Sequence, residues 1–359
     1  MTVRRVLPIG MIMNQNQSDK GAPIIGGVGA RTTSVRRHIM LHAARTNANE
    51  LKFPRLTGAV GANKSMIIYL AEGNIYDQFQ YIINGVGLWG MVSASADKSY
   101  VVIPNLTNET QYTVQVRGVN SIGKSKWSEY AVATPNFKKE IITTGSTNVS
   151  IPKGATVKYL IVAGGGGGAG ATNGETGGGG GGGMVITNTF VSTGSPYTVT
   201  VGAGGAGGVG SANGENGANS SISGVITALG GGGGLKYTNM NLNGGLKPNY
   251  TIGNFTASTG GNGNQAGQGS TGGGGSFENA NGISSGVSGG SGGAATTISD
   301  TDLTSGNYGK GGDGHDANSD ASVSPAGANT GDGGSGAGSL ASTSQNGGAG
   351  GSGKVVLFY

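Results

Sequence analysis

The chain has no cysteine, only three histidines and little charge of either sign. Without cysteine there is no disulfide framework, no thiolate metal site and no cysteine nucleophile. Charged residues make up 11% and apolar residues 35% of the 359 positions, against about 25% and about 45–50% in ordinary soluble domains. No run approaches the ~18 apolar residues of a membrane helix, so no membrane insertion is expected. Residues 1–13 carry Arg4 and Arg5 around a short apolar run broken by Pro8. They lack the hydrophobic region and small-residue cleavage site of a signal peptide.

Glycine fills the space that the missing residue types leave. Of 78 glycines, 13 lie in residues 1–137 and the other 65 in 138–359. Charge divides at the same place, +7 before it and −2 after it. The basic excess sits mostly in the first 45 residues, at Arg4, Arg5, Lys20, Arg31, Arg36, Arg37 and Arg45. Residues 1–48 therefore read as a basic attachment arm, solvated or in contact with an assembly partner. Ser34 to Ala43 has the look of a short helix with Ser34 as its N-cap, too short to stand alone.

Residues 49–135 read as consecutive short strands. Met66–Leu70, Tyr81–Ile83 and Tyr100–Ile103 are β-rich, and Tyr112–Arg117 alternates cleanly. Strands at this spacing suggest a β-sandwich. The run Tyr100-Val-Val-Ile-Pro-Asn-Leu106, followed by Thr110-Gln-Tyr-Thr-Val-Gln-Val-Arg-Gly-Val-Asn120 and Trp127-Ser-Glu129, resembles a fibronectin type III domain. The resemblance implies a tyrosine corner, with the Tyr112 hydroxyl returning to backbone near Leu106. Such modules act mostly as spacers, and Trp89 and Trp127 are expected to be packing residues.

Residues 138–359 alternate strands with glycine runs: Val157–Ala163 into Gly164–Gly168, Gly177–Gly183 into Met184–Thr187, Tyr197–Val201 into Gly202–Gly205, and a closing Lys354–Tyr359 strand. Glycine costs the most backbone entropy to order, and its runs are normally linkers. Here apolar strands bracket the segment, and the closing Val-Val-Leu-Phe-Tyr would be an aggregation-prone tail unless paired. The runs should therefore be ordered. An extended three-residue helix makes no internal hydrogen bonds. If its side chains are hydrogens, such helices can lie close and bond laterally, which satisfies every backbone group. Collagen is excluded, because no Gly-X-Y register persists and proline totals 9. The expected fold is all-β: a fibronectin type III-like sandwich, then β-strands with packed polyglycine II helices over 138–359.

The strands and glycine runs of this segment look like the glycine-rich domain of phage tail-fibre proteins, and the lattice is similar to that of T-even-like phage adhesins. The resemblance implies a virion fibre protein on an external surface of the particle. Other virion proteins would bind the arm, and a host surface glycan or outer-membrane protein would bind loops projecting between the glycine runs. It implies no nucleic-acid partner. A homotrimer fits a fibre, and a monomeric head fits an adhesin. The inserts run over 171–176, 211–222, 235–258, 276–287, 295–310 and 315–330. Their recognition candidates are Tyr237, Asn241, Tyr250, Phe255, Phe277, Asn279, Asp300, Asp302 and Tyr308, because aromatic faces beside amides and carboxylates suit sugars or protein loops. A purely structural virion protein is the alternative.

Catalytic and cofactor signals are weak. His38 and His42 have the i, i+4 spacing of a helical metal pair, yet no third ligand accompanies them. Gly311–Asp316 matches a single calcium nonapeptide without the stacked copies that complete such a site. Gly-x-Gly-x-x-Gly fragments are expected by chance at this glycine density. A depolymerase needs paired acids in a cleft, and only Asp300 with Asp302 form a close pair in the inserts. The chain is read as non-enzymatic, with no cofactor and no metal.

Overall fold

A computed structural model describes residues 51–85, 87–236, 289–316, 323 and 325–359, with the backbone alone of 250–252 and 255–257. The arm, with Arg4, Arg5, Arg31, Arg36, Arg37 and the helix expected over 34–43, lies outside them. The first unit comprises β1 (Leu56–Ala62), β2 (Ser65–Leu70), β3 (Gln78–Ile83), β4 (Leu88–Ser93), β5 (Tyr100–Ile103), β6 (Tyr112–Asn120), β7 (Gly123–Lys124) and β8 (Ala131–Ala133). One sheet has the order β1-β2-β5 and the other β4-β3-β6-β7, with β8 also on β6. All pairings are antiparallel, which gives the fibronectin type III-like sandwich. Its core holds Met66, Ile68, Phe79, Val101, Ile103, Val114 and Val116. The tyrosine corner is present: the Thr107 N–H donates to the Tyr112 hydroxyl oxygen at 3.1 Å, beside buried Leu106.

Strand β2 is apolar on both faces because both faces are covered. Met66 and Ile68 point into the sandwich, while Ile67 and Tyr69 join Val60, Ala62, Tyr100 and Val102 in a second core that continues into the glycine-rich part. The Tyr69 hydroxyl donates to the Lys153 carbonyl at 3.1 Å, and Lys153 Nζ pairs with Asp97 at 2.7 Å. Gly154, at φ +87°, lies under Tyr100, where a Cβ would come within 2.6 Å of the ring. The sandwich is thus fused to its neighbour through a shared core, a tighter joint than a spacer module needs.

The remaining strands are β9 (Lys139–Ile142), β10 (Ser146–Val149), β11 (Thr156–Val162), β12 (Ala171–Thr172), β13 (Val185–Val191), β14 (Tyr197–Thr200), β15 (Ser220–Ile222), β16 (Ile226–Ala228), β17 (Tyr250–Ile252), β18 (Phe255–Ala257), β19 (Thr296–Ile298), β20 (Gly306–Tyr308), β21 (Ser344–Gln345) and β22 (Lys354–Phe358). Two four-stranded sheets, β13-β11-β22-β9 and β10-β14-β15-β16, enclose the second core. The closing strand is central: β22 lies between β11 and β9, with Lys158 opposite Phe358 and Val162 opposite Lys354. On its other face this sheet buries Leu160, Val162, Val185 and Val356 under Leu303 and Tyr308, so β11 reads as an almost unbroken apolar run.

Glycine helices extend from the strand ends as a hexagonal bundle. In 164–170 the amides of Gly164, Gly167 and Gly170 donate to the carbonyls of Ala218, Glu215 and Ala212. Those of Gly165 and Gly168 reach Gly351 and Gly348, and those of Gly166 and Ala169 reach Gly181 and Gly178. Every third amide thus points to the same neighbour, the signature of three residues per turn. The same helix accepts from Gly205 and Gly208, from Gly231 and Gly234, and from Gly334 and Ala337. It is the hub of six neighbours. It donates to three antiparallel ones and accepts from three parallel ones, in alternation around the ring. The ring members bond each other in the closed order 212–218, 230–234, 177–183, 331–337, 347–353 and 202–208. Outside the ring, 309–314 attaches to 177–183 and 331–337, and 289–293 attaches to 309–314.

Position in the bundle dictates sequence. Hub residues 161–170 are all buried, and a Cβ on Gly165, Gly166, Gly167 or Gly168 would lie 2.0–2.1 Å from a neighbour's carbonyl oxygen. The ring helix 202–208 exposes one residue in three: Ala203, Ala206 and, just beyond it, Val209 face solvent, whereas Gly202, Gly205 and Gly208 are buried. In 212–218 that spacing carries asparagines. Asn213, Asn216 and Asn219 accept through Oδ1 from the N–H groups of Lys236, Gly233 and Gly230 at 2.9–3.0 Å. These side chains cap amides that no further helix reaches.

Candidate recognition surface

Strand connectivity defines the far end of the bundle. The chain leaves the sheets at Val162, Thr200 and Ala228 and re-enters them at Val185, Ser220 and Lys354. The segments 171–176, 209–211 and 338–346 therefore connect helices at the opposite end, and the chain beyond Lys236 departs from there. Two of these inserts are tied together. Strands β12 and β21 pair Ala171 with Gln345 and Thr172 with Ser344, and Thr176 bridges Gly338. The Asn173 N–H donates to the Thr343 carbonyl, the Ser339 N–H to the Glu175 carbonyl and the Gly174 N–H to Ser339 Oγ. Left-handed turns at Asn173 (φ 54°), Gly174 (φ 80°) and Ser342 (φ 71°) fold these loops sharply. Gly210 donates to Asn346 Oδ1 at 3.0 Å, which joins the third insert. The surface so formed exposes Val209 and Leu340 among hydroxyl and amide side chains, with Glu175 and Lys236 as its described charges.

The expected recognition residues fall in three places. Tyr237, Asn241, Phe277 and Asn279 lie outside the described residues. Tyr250 and Phe255 lie on the β17–β18 hairpin, where Tyr250 is opposite Ala257 and Ile252 opposite Phe255. Asp300, Asp302 and Tyr308 are at the sheet end of the bundle. Tyr308 is 4% exposed in a core with Leu160 and Val162, and Lys354 Nζ meets its hydroxyl at 3.0 Å and its ring face. A ring buried in this way has no face left for a ligand, which corrects the expectation for Tyr308. Asp300 and Asp302 both grip Lys158 Nζ, at 2.7 and 2.9 Å. Lys158 is held above its ordinary pKa by hydrogen bonds to the two carboxylates, and Asp300 is held below its own by Lys158. These residues fasten 296–308 over the β11–β22 sheet.

Two further inserts differ from expectation. Residues 211–222 contain a ring helix and β15, and 295–310 is the cover just described. In the calcium-like run, Asp313 Oδ1 accepts from Gly292 N–H at 2.8 Å and Asp316 from Gly289 N–H. Both carboxylates serve as helix caps, as the asparagines do. Burial raises the carboxyl of Asp332, which accepts from Lys310 N–H at 2.8 Å. Asp97 is held well below the usual carboxylate range, chiefly by Lys153. Trp127 packs under Arg117, whose guanidinium lies 4.4 Å from the ring centroid. Trp89, expected to pack, is 67% exposed on β4.

The family model of the glycine-rich domain matches residues 142–359. The chain belongs to this glycine-rich domain family. The matched span covers the two-sheet core, except for the first three residues of β9, together with the glycine bundle. A solved structure described as FN3tt mut is similar at 19% identity and a TM-score of 0.18, over 24% of this chain and 97% of that one. No curated protein matches the chain.

Proposed function

We propose that this chain is a bacteriophage fibre protein, a tail-fibre tip adhesin that binds a host cell-surface glycan or outer-membrane protein through the inserts at the free end of the glycine bundle. The observation that carries this reading is the division of labour in the bundle. Backbone hydrogen bonds fix the inner helices and asparagine and aspartate side chains cap outer amides, so the segments that join helices at the free end are released from packing duty. Loops on a rigid support are a general solution to recognition. The zipped 171–176 and 338–346 segments supply a preformed base, and the long excursion beyond Lys236, with Tyr237, Asn241, Tyr250, Phe255, Phe277 and Asn279, supplies most of the aromatic and amide groups. The basic arm is assigned to attachment within the virion, where a homotrimeric or monomeric state is compatible with it. The test is binding of fluorescent protein to a panel of bacterial cells. Replacing 237–288 by a short Gly-Ser link should abolish binding while leaving the rest of the bundle folded. Retained binding after that replacement, or labelling of the protein on the phage capsid, refutes the tip-adhesin reading.

A further inference from the structure

The β4-β3-β6-β7 sheet of the sandwich has one bare face. Its inner face fills the core with Phe79, Ile83, Val114 and Val116. Pleating sends alternate residues the other way. Gln80 and Ile82 of β3 therefore share the outer face with Arg117 and Gln115 of β6 and with Met91 and Trp89 of β4, which lie opposite them across the ladders. The partner sheet, β1-β2-β5, buries its own outer face in the second core. Here Trp89 is 67% and Met91 48% exposed.

Charge on these strands has one sign. Strands β3, β4, β6 and β7 contain Arg117 and Lys124 and no aspartate or glutamate. Arg117 is fixed without being neutralised. Its Nε and Nη2 donate to Gln80 Oε1 at 2.9 and 2.6 Å, and Gln80 is itself 8% exposed. The Arg117–Trp127 stack described above holds the guanidinium from the other side. No ion pair among the described residues includes it. A long side chain has thus given up its rotamer freedom without meeting a counter-ion, and its Nη1 edge remains for an acceptor. A preorganised fork of this kind suits a carboxylate. Next to it, Gln115 Nε2 donates to the Ser128 carbonyl at 2.9 Å, which leaves Oε1 as a spare acceptor for a hydroxyl.

We propose that this face binds an acidic saccharide, with a sugar carboxylate on Arg117 and a neighbouring pyranose ring stacked on the Trp89 indole. Strands β4 and β6 are two strand spacings apart, about 10 Å, which two linked pyranose rings can bridge. The face offers an aromatic surface for ring C–H groups, amides for hydroxyls and a fixed fork for one carboxylate. An acidic peptide would use the fork alone. A nucleic-acid backbone needs a run of cations to neutralise successive phosphates, and these strands carry two. The arm over 1–48 has the same sign of charge as the face, so it is no electrostatic match. The site belongs to the sandwich and stands without the adhesin reading.

The test titrates the full chain with 3′-sialyllactose and with tetragalacturonate, using maltotetraose as the neutral control. Tryptophan fluorescence and calorimetry follow binding, and the chain has two tryptophans, Trp89 and Trp127. At least one acidic sugar should bind saturably and more weakly as salt is added, with maltotetraose at least tenfold weaker. Trp89→Ala and Arg117→Gln should each weaken binding at least tenfold, and Arg117→Gln should also erase the preference for the acidic sugar. Arg55→Gln, the same charge change elsewhere, should leave binding within about twofold. Binding of neither acidic sugar, equal binding of maltotetraose or undiminished binding to Trp89→Ala overturns the proposal. Tighter binding of hexaglutamate, which would make a peptide the ligand, does so as well. So does loss of binding when 237–288 is replaced by the Gly-Ser link, which would move the site to the bundle. If Arg117→Gln unfolds, Trp89→Ala decides, because that ring is exposed.

Discussion

Substituting Gly166 by alanine tests the bundle at its hub. Elsewhere a Gly→Ala change at a compatible site stabilises a protein by about 0.4–1 kcal/mol, by reducing unfolded-chain entropy. Here the new Cβ would stand 2.1 Å from the Gly232 carbonyl oxygen, whereas ordinary contact begins at 3.4 Å. Relief requires helix 230–234 to retreat by 3.4 − 2.1, or about 1.3 Å. That helix is tied to the hub by Gly231 N–H to the Gly164 carbonyl at 2.9 Å and Gly234 N–H to the Gly167 carbonyl at 2.8 Å. Both bonds would stretch past 4 Å and leave buried donors unmet, at about 1–3 kcal/mol each. The expected loss is roughly 2–6 kcal/mol, a large part of the roughly 5–15 kcal/mol that holds a typical domain. Urea unfolding followed by circular dichroism, together with hydrogen–deuterium exchange over 160–185 and 228–236, measures it. Ala206→Gly, on the solvent-facing third of a ring helix, should cost less than about 1 kcal/mol. If Gly166→Ala unfolds at or above the wild-type midpoint, close contact between glycine backbones is not what holds this domain.

Asn216→Ala removes the acceptor for Gly233 N–H and should cost about 1–3 kcal/mol in urea melts, whereas Asn216→Asp, which keeps Oδ1, should cost less. Burial holds Asp332 above its ordinary pKa, so the folded chain binds this proton more tightly than the unfolded chain does. Its contribution favours folding below the ordinary carboxylate value of about 4 and is lost as pH rises through the raised value. Asp332→Asn, which keeps the acceptor for Lys310 N–H, should therefore stabilise the chain near neutral pH relative to acid, as read by paired thermal melts. Trp89→Ala should shift stability by no more than about 0.5 kcal/mol, because the ring is 67% exposed. A larger loss in a thermal melt would assign it to packing after all.

The strand skeleton was legible in the sequence wherever apolar residues ran together or alternated. Met66–Leu70, Tyr112–Arg117, Val157–Ala163 and the closing strand all lie where their side chains require. The demand that glycine runs be ordered followed from the strands that bracket them. The inserts were harder to read. Residues 211–222 look like a polar loop because a ring helix accepts any side chain on its outward third, and asparagine is useful there. The spacing of Gly214 and Gly217 between Asn213, Asn216 and Asn219 was the available signal. Asp300 and Asp302 look like ligand-binding groups because their partner, Lys158, precedes Asp302 by 144 residues. Which insert belongs to which end depends on helix direction, and that becomes visible only through the bond partners.

A scaffold bonded mainly through main-chain groups has a consequence for how such a molecule changes. The anchor points at Gly170, Gly177, Ala337 and Gly347 are set by lattice spacing and are indifferent to what joins them. Lengthening a flexible connection between fixed posts costs only about 0.6 kcal/mol per doubling. Segments between posts can therefore be exchanged, extended or shuffled as cassettes, while a methyl group on any of Gly165 to Gly168 in the hub is forbidden.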